Sequence, residues 1–188
     1  MENEDIITWS KNYLLTWSDF KAEPNSSSFE DSSSKIKYHF TWTVNSETHD
    51  GKIYFLIDNI QLFTQFLRHL SWVREKQASL ELLKHEQGHF DLAESLKSKI
   101  TADFQNEFKD KKFPTRGQNE EQQKQFARED SGLIISQRLE KWYGDFSQQR
   151  TKYDKETEFG YNLNKQQEYD KTMKQAHRRS QMLARGIN

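Results

Sequence analysis

The clearest pattern along the chain is a helical stripe. Between Gln77 and Phe108, Leu82, His85, His89, Leu92, Leu96, Ile100 and Phe104 recur at spacings of three and four. That period puts them on one face of a long helix. The stretch "KDKKFPTRGQ", with Pro114 and Gly117, interrupts it. A second helix is predicted from Glu120 to Tyr153, with Phe126, Leu133, Leu139, Trp142 and Phe146 on its apolar side. After a turn at Gly160, a polar helix over about 164–182 leads into a basic end, "HRRSQMLARG", which reads as a solvated tail.

Upstream the period is two. In "KIKYHFTWTV", Ile36, Tyr38, Phe40, Trp42 and Val44 alternate with Lys37, His39, Thr41 and Thr43, the signature of a half-buried strand. A polar loop ending at Gly51 leads to a second strand, "KIYFLID", and the two predict an antiparallel hairpin. Residues 60–72 carry apolar residues at helical spacing and predict a short helix. Residues 6–20 predict one or two short strands around a turn near Lys11 and Asn12. The Ser-rich segment 21–34, with Pro24, reads as a loop. No internal repeat is visible. The fold class is α+β: a small antiparallel sheet packed on long helices, mainly β over about 6–58 and mainly helical over about 60–182.

Composition narrows the function. Charged residues are 30% of the chain and hydrophobic ones 33%, so the helices carry much solvated surface and the core is modest. Five Trp and 13% aromatics argue against disorder. A formal net charge of −1 gives no electrostatic footprint for nucleic acid. No apolar run is long enough to span a bilayer. No N-terminal hydrophobic segment is present. Cysteine is absent, which excludes thiolate ligands and Cys nucleophiles. Any metal must be held by His, Asp or Glu.

Within the stripe, His85-Glu86-Gln87-Gly88-His89 has the form H-E-x-x-H. Residues four apart share a helix face, so the two imidazoles can meet one ion. A catalytic zinc takes three protein ligands and a water, and a nearby carboxylate can take that water's proton. Glu86 is the candidate general base, and Gly88 leaves room for a neighbouring element. Two core histidines satisfied by backbone carbonyls would produce the same spacing, so context must decide. His39, His49 and His69 are isolated and read as structural or exposed.

Three segments carry a resemblance. "ITWSKNYLLTWSDFKAEP", "FLRHLSWVREKQASLELLKHEQGHFDLAE" and "YDKETEFGYN" resemble the Trp-rich start, the metal helix and a downstream motif of a bacterial family described as zinc-dependent proteases. The resemblance implies a single zincin-like domain over 1–188, peptidase activity on a peptide or protein substrate, and export. The expected location is periplasmic or secreted if a leader was removed ahead of Met1, and cytoplasmic otherwise.

The chain departs from that family at one position. The downstream motif usually reads Y-D-x-x-T-x-H-G, and its histidine falls at Phe159 here. A carboxylate from the same turn can replace it, since zinc accepts carboxylate oxygen. Glu158, nearest the missing histidine, ranks first, with Asp154 and Glu156 as alternatives. The turn could equally be a solvated cap. Tyr153 and Phe159 are expected in the core, with Tyr153 also a candidate oxyanion donor. Glu94, on the turn after His89, is a candidate to orient an imidazole. The sequence therefore supports a zinc metallopeptidase with Glu86 as base and His85, His89 and Glu158 as ligands. Its rivals are an inactive metal-binding interaction domain and a metal-free structural domain. The oligomeric state is not legible.

Overall fold

The computed structural model describes residues 5–184, with side chains to Arg178. The fold is α+β, with small antiparallel sheets packed against three long helices. The strands are β1 (Ile6–Thr8), β2 (Ser32–Ser33), β3 (Ile36–His49), β4 (Lys52–Leu67), β5 (Trp72–Val73) and β6 (Phe113–Pro114). The helices are α1 (Leu80–Phe108), α2 (Glu120–Thr157) and α3 (Leu163–Ala184). In the larger sheet β4 lies between β1 and β3 and also pairs with β6, while β2 pairs with β5 in a separate ladder.

Each helix starts where a short polar side chain can cap it. Ser79 Oγ accepts from Leu82 N, Asn119 Oδ1 from Gln122 N, and Asn162 Oδ1 from Lys165 N. In each case a donor in the first turn is satisfied. The stripe on α1 is buried at Leu82, His85, His89, Leu92, Ile100 and Phe104. On α2 the buried positions are Ala127, Ser131, Ile135, Leu139, Phe146, Tyr153 and Thr157, at steps of four or seven, which keep them on one helix face. Leu133 lies off this face and is 58% exposed, contrary to the sequence expectation.

The short helix expected over 60–72 is not formed. Strand β4 runs on to Leu67, and only a 3-10 turn, Arg68–Leu70, precedes β5. The reason is a change of phase. Phe55 and Ile57 are buried, Asp58 and Asn59 are exposed, and Ile60, Leu62, Thr64 and Phe66 are buried. Asn59 has φ +49°, so one residue is inserted and the inward face switches from odd to even positions. This is the pattern of a β-bulge. It makes a period of two resemble a period of three and four. The alternation expected along β3 is present, with Ile36 and Tyr38 buried and Thr41 and Thr43 exposed.

The described residues form two compact units, one of residues 5–39, 63–98 and 146–184, the other of 40–62 and 99–145. In the second, the β3–β4 hairpin turns at Asp50 and Gly51, both at positive φ, as two-residue hairpins require. Phe55 stacks on Phe113 at 5.2 Å, and Trp42 Nε1 donates to Ser131 Oγ. In the first unit, α1 is tied down on several sides. Tyr38 Oη donates to Ala93 O at 2.6 Å, and Phe66 packs on Phe90. Gln87 Oε1 accepts from Leu15 N, while Trp9 Nε1 and Gln87 Nε2 both donate to Asp91 Oδ1. His177, expected in a solvated tail, instead donates through Nε2 to Asp91 O and packs on Trp9. The basic residues beyond Arg178 lie outside the described side chains. No helix among the described residues is long and apolar enough to cross a membrane.

Candidate metal centre

The H-E-x-x-H turn lies on the buried face of α1, and the last turns of α2 close over it. His85, Glu86 and His89 are each at most 2% exposed. Asp154 Oδ1 lies 3.2 Å from His85 Nε2 and 3.0 Å from His89 Nε2. The three residues form a buried group whose ligand atoms all lie within 4.8 Å of one another, and such a group can hold a metal ion.

Two features distinguish this group from an ordinary ion-pair cluster. Although the distances are short, no hydrogen-bond donor among the described residues is directed at Asp154 Oδ1, which is buried. Atoms that converge on a shared ion approach one another without pointing at one another. Donors ~2.0–2.1 Å from a tetrahedral zinc sit about 3.3 Å apart, close to the spacing found. The second feature is a tautomer. Thr157 Oγ1 donates its one proton to Tyr153 O at 2.7 Å. It can therefore only accept from His85 Nδ1, 3.2 Å away. With the proton on Nδ1, a neutral His85 presents the Nε2 lone pair towards Asp154. A cation between these two facing acceptors would satisfy both.

Electrostatics point the same way. Burial pushes the His89 imidazole down, and the Arg150 guanidinium adds to the effect, so His89 is neutral near pH 7. Glu86 accepts hydrogen bonds from Ser32 Oγ and Ser34 Oγ, one on each carboxylate oxygen. These serines come from β2 and the residue following it, and their role was not apparent from the sequence. Neither was that of Arg150, which donates to Ser34 O at 2.9 Å and lies 4.0 Å from Asp154 Oδ2. Its spacing of four from Asp154 was the available signal.

The other sequence candidates fall elsewhere. Glu158 is exposed at φ +51°, just past the end of α2, outside the His85/His89 group. Glu156 accepts from Tyr169 Oη and pairs with Lys152. Glu94 accepts from Thr64 Oγ1 and pairs with Lys97. It is five residues past His89, about 140° around the helix. Tyr153 is fully buried, and its ring stacks on His85 at 4.7 Å and 5°. Its hydroxyl donates to His85 O or Gln166 Oε1 and accepts from Gln166 Nε2. Phe159, expected in the core, is 36% exposed and meets Phe29 edge-on at 5.6 Å.

A cleft of about 100 Å³ opens onto the group, lined among others by Phe29, Glu30, Glu86, Arg150, Asp154 and Phe159. Two glycines allow the close packing behind it. A Cβ on Gly88 would lie 2.0 Å from Tyr153 Oη, and one on Gly160 would lie 2.8 Å from His85 Cβ. Gly160 also has φ +90°, where other residues are strained. No protein-family model, curated protein or solved structure matches the chain.

Proposed function

We propose that the chain is a zinc-dependent hydrolase of peptide bonds, with His85, His89 and Asp154 as ligands and Glu86 as general base. The observation that carries this reading is the convergence of His85, His89 and Asp154 in one buried group, in which Asp154 Oδ1 has no hydrogen-bond donor directed at it among the described residues. With no cysteine in the chain, two imidazoles and a carboxylate form a chemically sound zinc set. A bound zinc supplies a Lewis acid that brings the pKa of a coordinated water towards neutrality.

The remaining chemistry belongs to the chain. Glu86, next to His85 in the motif, is held by two serine hydroxyls and keeps lone pairs on both oxygens for a proton. A carboxylate so fixed loses little freedom in reaching the transition state. Phe29 and Phe159 meet edge-on at the mouth of the cleft and give it an apolar rim. Peptide as the substrate rests on the H-E-x-x-H form and the family resemblance. A 2-His-1-carboxylate set also suits ferrous iron, and Glu86 beside the pair is what favours hydrolytic zinc.

Metal analysis and a casein cleavage assay test the proposal. The protein should carry one zinc per chain. Glu86→Gln should retain that zinc and lose cleavage by a factor of about 10²–10⁴, the usual worth of a general base. A second reading, a metal-holding domain without turnover, is favoured by the small volume of the cleft. It gains if wild type binds zinc and cleaves nothing. Absence of bound metal from both proteins would overturn both readings.

A further inference from the structure

We propose that Arg150 is the anion receptor of the cleft, the group that meets the negative charge formed on the carbonyl oxygen during cleavage. This rests on the hydrolase reading. Among the residues lining the cleft, Arg150 is the one permanent cation. Its side chain is 24% exposed, so it is neither a free surface group nor sealed in the core.

The guanidinium is held on two sides. Nη1 donates to Ser34 O, and Nε lies 4.0 Å from Asp154 Oδ2, too far for a hydrogen bond. Arginine has five N–H donors in a rigid fork. Among the described residues, one of these five has an acceptor within hydrogen-bond range. The others are free to serve a ligand. Ser34 also fixes Glu86 through its hydroxyl, so base and cation are referenced to the same residue. Asp154, four residues on in the same helix, refers the cation to the histidine pair as well.

The charge balance explains why a cation is useful there. Glu86 and Asp154 are the two deeply placed carboxylates, and a divalent ion would neutralise them. Arg150 then leaves the inner site with one positive charge to meet a developing oxyanion. Glu30 and Asp31, which also line the cleft, are only half-buried, and water screens them more. A fixed cation in a partly dry site is worth more than the same charge in water and needs no reorganisation.

The step balances without another reactant. The water oxygen bonds to the carbonyl carbon and one water proton passes to Glu86. The C=O π pair moves onto oxygen, whose charge faces Arg150. The C–N bond then breaks, its pair goes to nitrogen, and nitrogen takes the proton from Glu86. The oxygen pair returns to carbon, and the acid product gives its proton to solvent.

Inorganic phosphate, a tetrahedral oxyanion, probes the receptor independently of turnover. It is titrated calorimetrically into zinc-loaded, full-length wild type, Arg150→Met and Arg150→Lys, with zinc affinity measured by chelator competition. Arg150→Met should weaken phosphate about tenfold, the scale of a charge-assisted contact, and leave zinc affinity unchanged. On casein, kcat should fall by about 10²–10³ with KM little changed, the cost of losing one oxyanion donor. Arg150→Lys should recover part of both effects. Equal phosphate affinity in wild type and Arg150→Met would overturn the proposal. So would loss of zinc in Arg150→Met, which would make Arg150 a support for Asp154. If wild type cleaves no casein but phosphate binding still depends on Arg150, the hydrolase reading fails and the anion receptor stands. Matching thermal melts of the three proteins separate these outcomes from misfolding.

Discussion

Asp154→Ala is expected to abolish stoichiometric zinc binding while leaving a folded protein. Two imidazoles on one helix hold zinc weakly, and the third donor makes the site. On the proposed reading that donor is Asp154, whose carboxylate lies 3.0–3.2 Å from both Nε2 atoms. The loss in affinity should be at least about 100-fold, exceeding the ~10–100-fold typical when an outer partner of a ligand is removed. Asp154→Asn is the sharper test, because it keeps the shape and removes the charge. It should retain some affinity but much less than wild type. Glu158→Ala should bind zinc like wild type, since that side chain is exposed beyond the helix end. Glu156→Ala should lose only the bond from Tyr169 and the Lys152 pair. Chelator competition on the four variants, with circular dichroism as the fold control, decides this. Zinc affinity unchanged in Asp154→Ala would mean that the buried group is a structural ion-pair cluster.

The contrast between Asp154 and Glu158 shows which parts of the site were legible. The histidine pair and Glu86 could be read directly, because helical period alone puts His85 and His89 on one buried face. The third donor depended on where α2 ends. Read as ending at Tyr153, the chain offers a loose acidic turn, and nearness in sequence to Phe159 favours Glu158. In fact α2 continues to Thr157, so Arg150, Tyr153, Asp154 and Thr157 all project from one helix. Tyr153 and Thr157 then lie against His85, and Asp154 comes between the imidazoles. Glu158 and Phe159 are in the left-handed region after the helix, at φ +51° and +54°. One helical turn separates the two outcomes, and helix ends are the least certain part of a pattern reading. The serines that hold Glu86 carried no local signal. They lie more than fifty positions away in a segment that reads as a polar loop. The strand β4 was misread for a physical reason, the bulge at Asn59 that breaks its alternation.

Gly88→Ala is expected to be the most damaging single methyl in the motif. On an exposed helix surface this change would stabilise by about 1 kcal/mol, because alanine is the better helix former. Here the new Cβ would lie 2.0 Å from Tyr153 Oη and 2.7 Å from Cζ. Tyr153 cannot swing aside. Its ring is stacked on His85, set edge-on to His89 at 5.0 Å, and packed edge-on to Tyr169 at 5.0 Å. Its hydroxyl is bonded to His85 O and Gln166. Relief requires α1 and α2 to separate or the tyrosine to leave its site. Overpacking costs about 1–3 kcal/mol, sometimes more. Each broken buried hydrogen bond adds roughly 1 kcal/mol. The net effect should be a loss of about 2–4 kcal/mol of stability, with the helix-propensity gain already subtracted. Asp154 is the next residue after Tyr153, so the same displacement should pull the carboxylate from the histidines and weaken zinc. Tyr153→Phe should relieve little of the clash, because Cζ remains. Tyr153→Leu removes both offending atoms and should recover part of the stability in the Gly88→Ala background. The coupling in that double-mutant cycle should reach the ~0.5–3 kcal/mol found for residues in direct contact. Denaturant unfolding of the two single variants and the double measures it. Wild-type stability in Gly88→Ala, or strict additivity with Tyr153→Leu, would show that the tyrosine does not pack on the motif glycine.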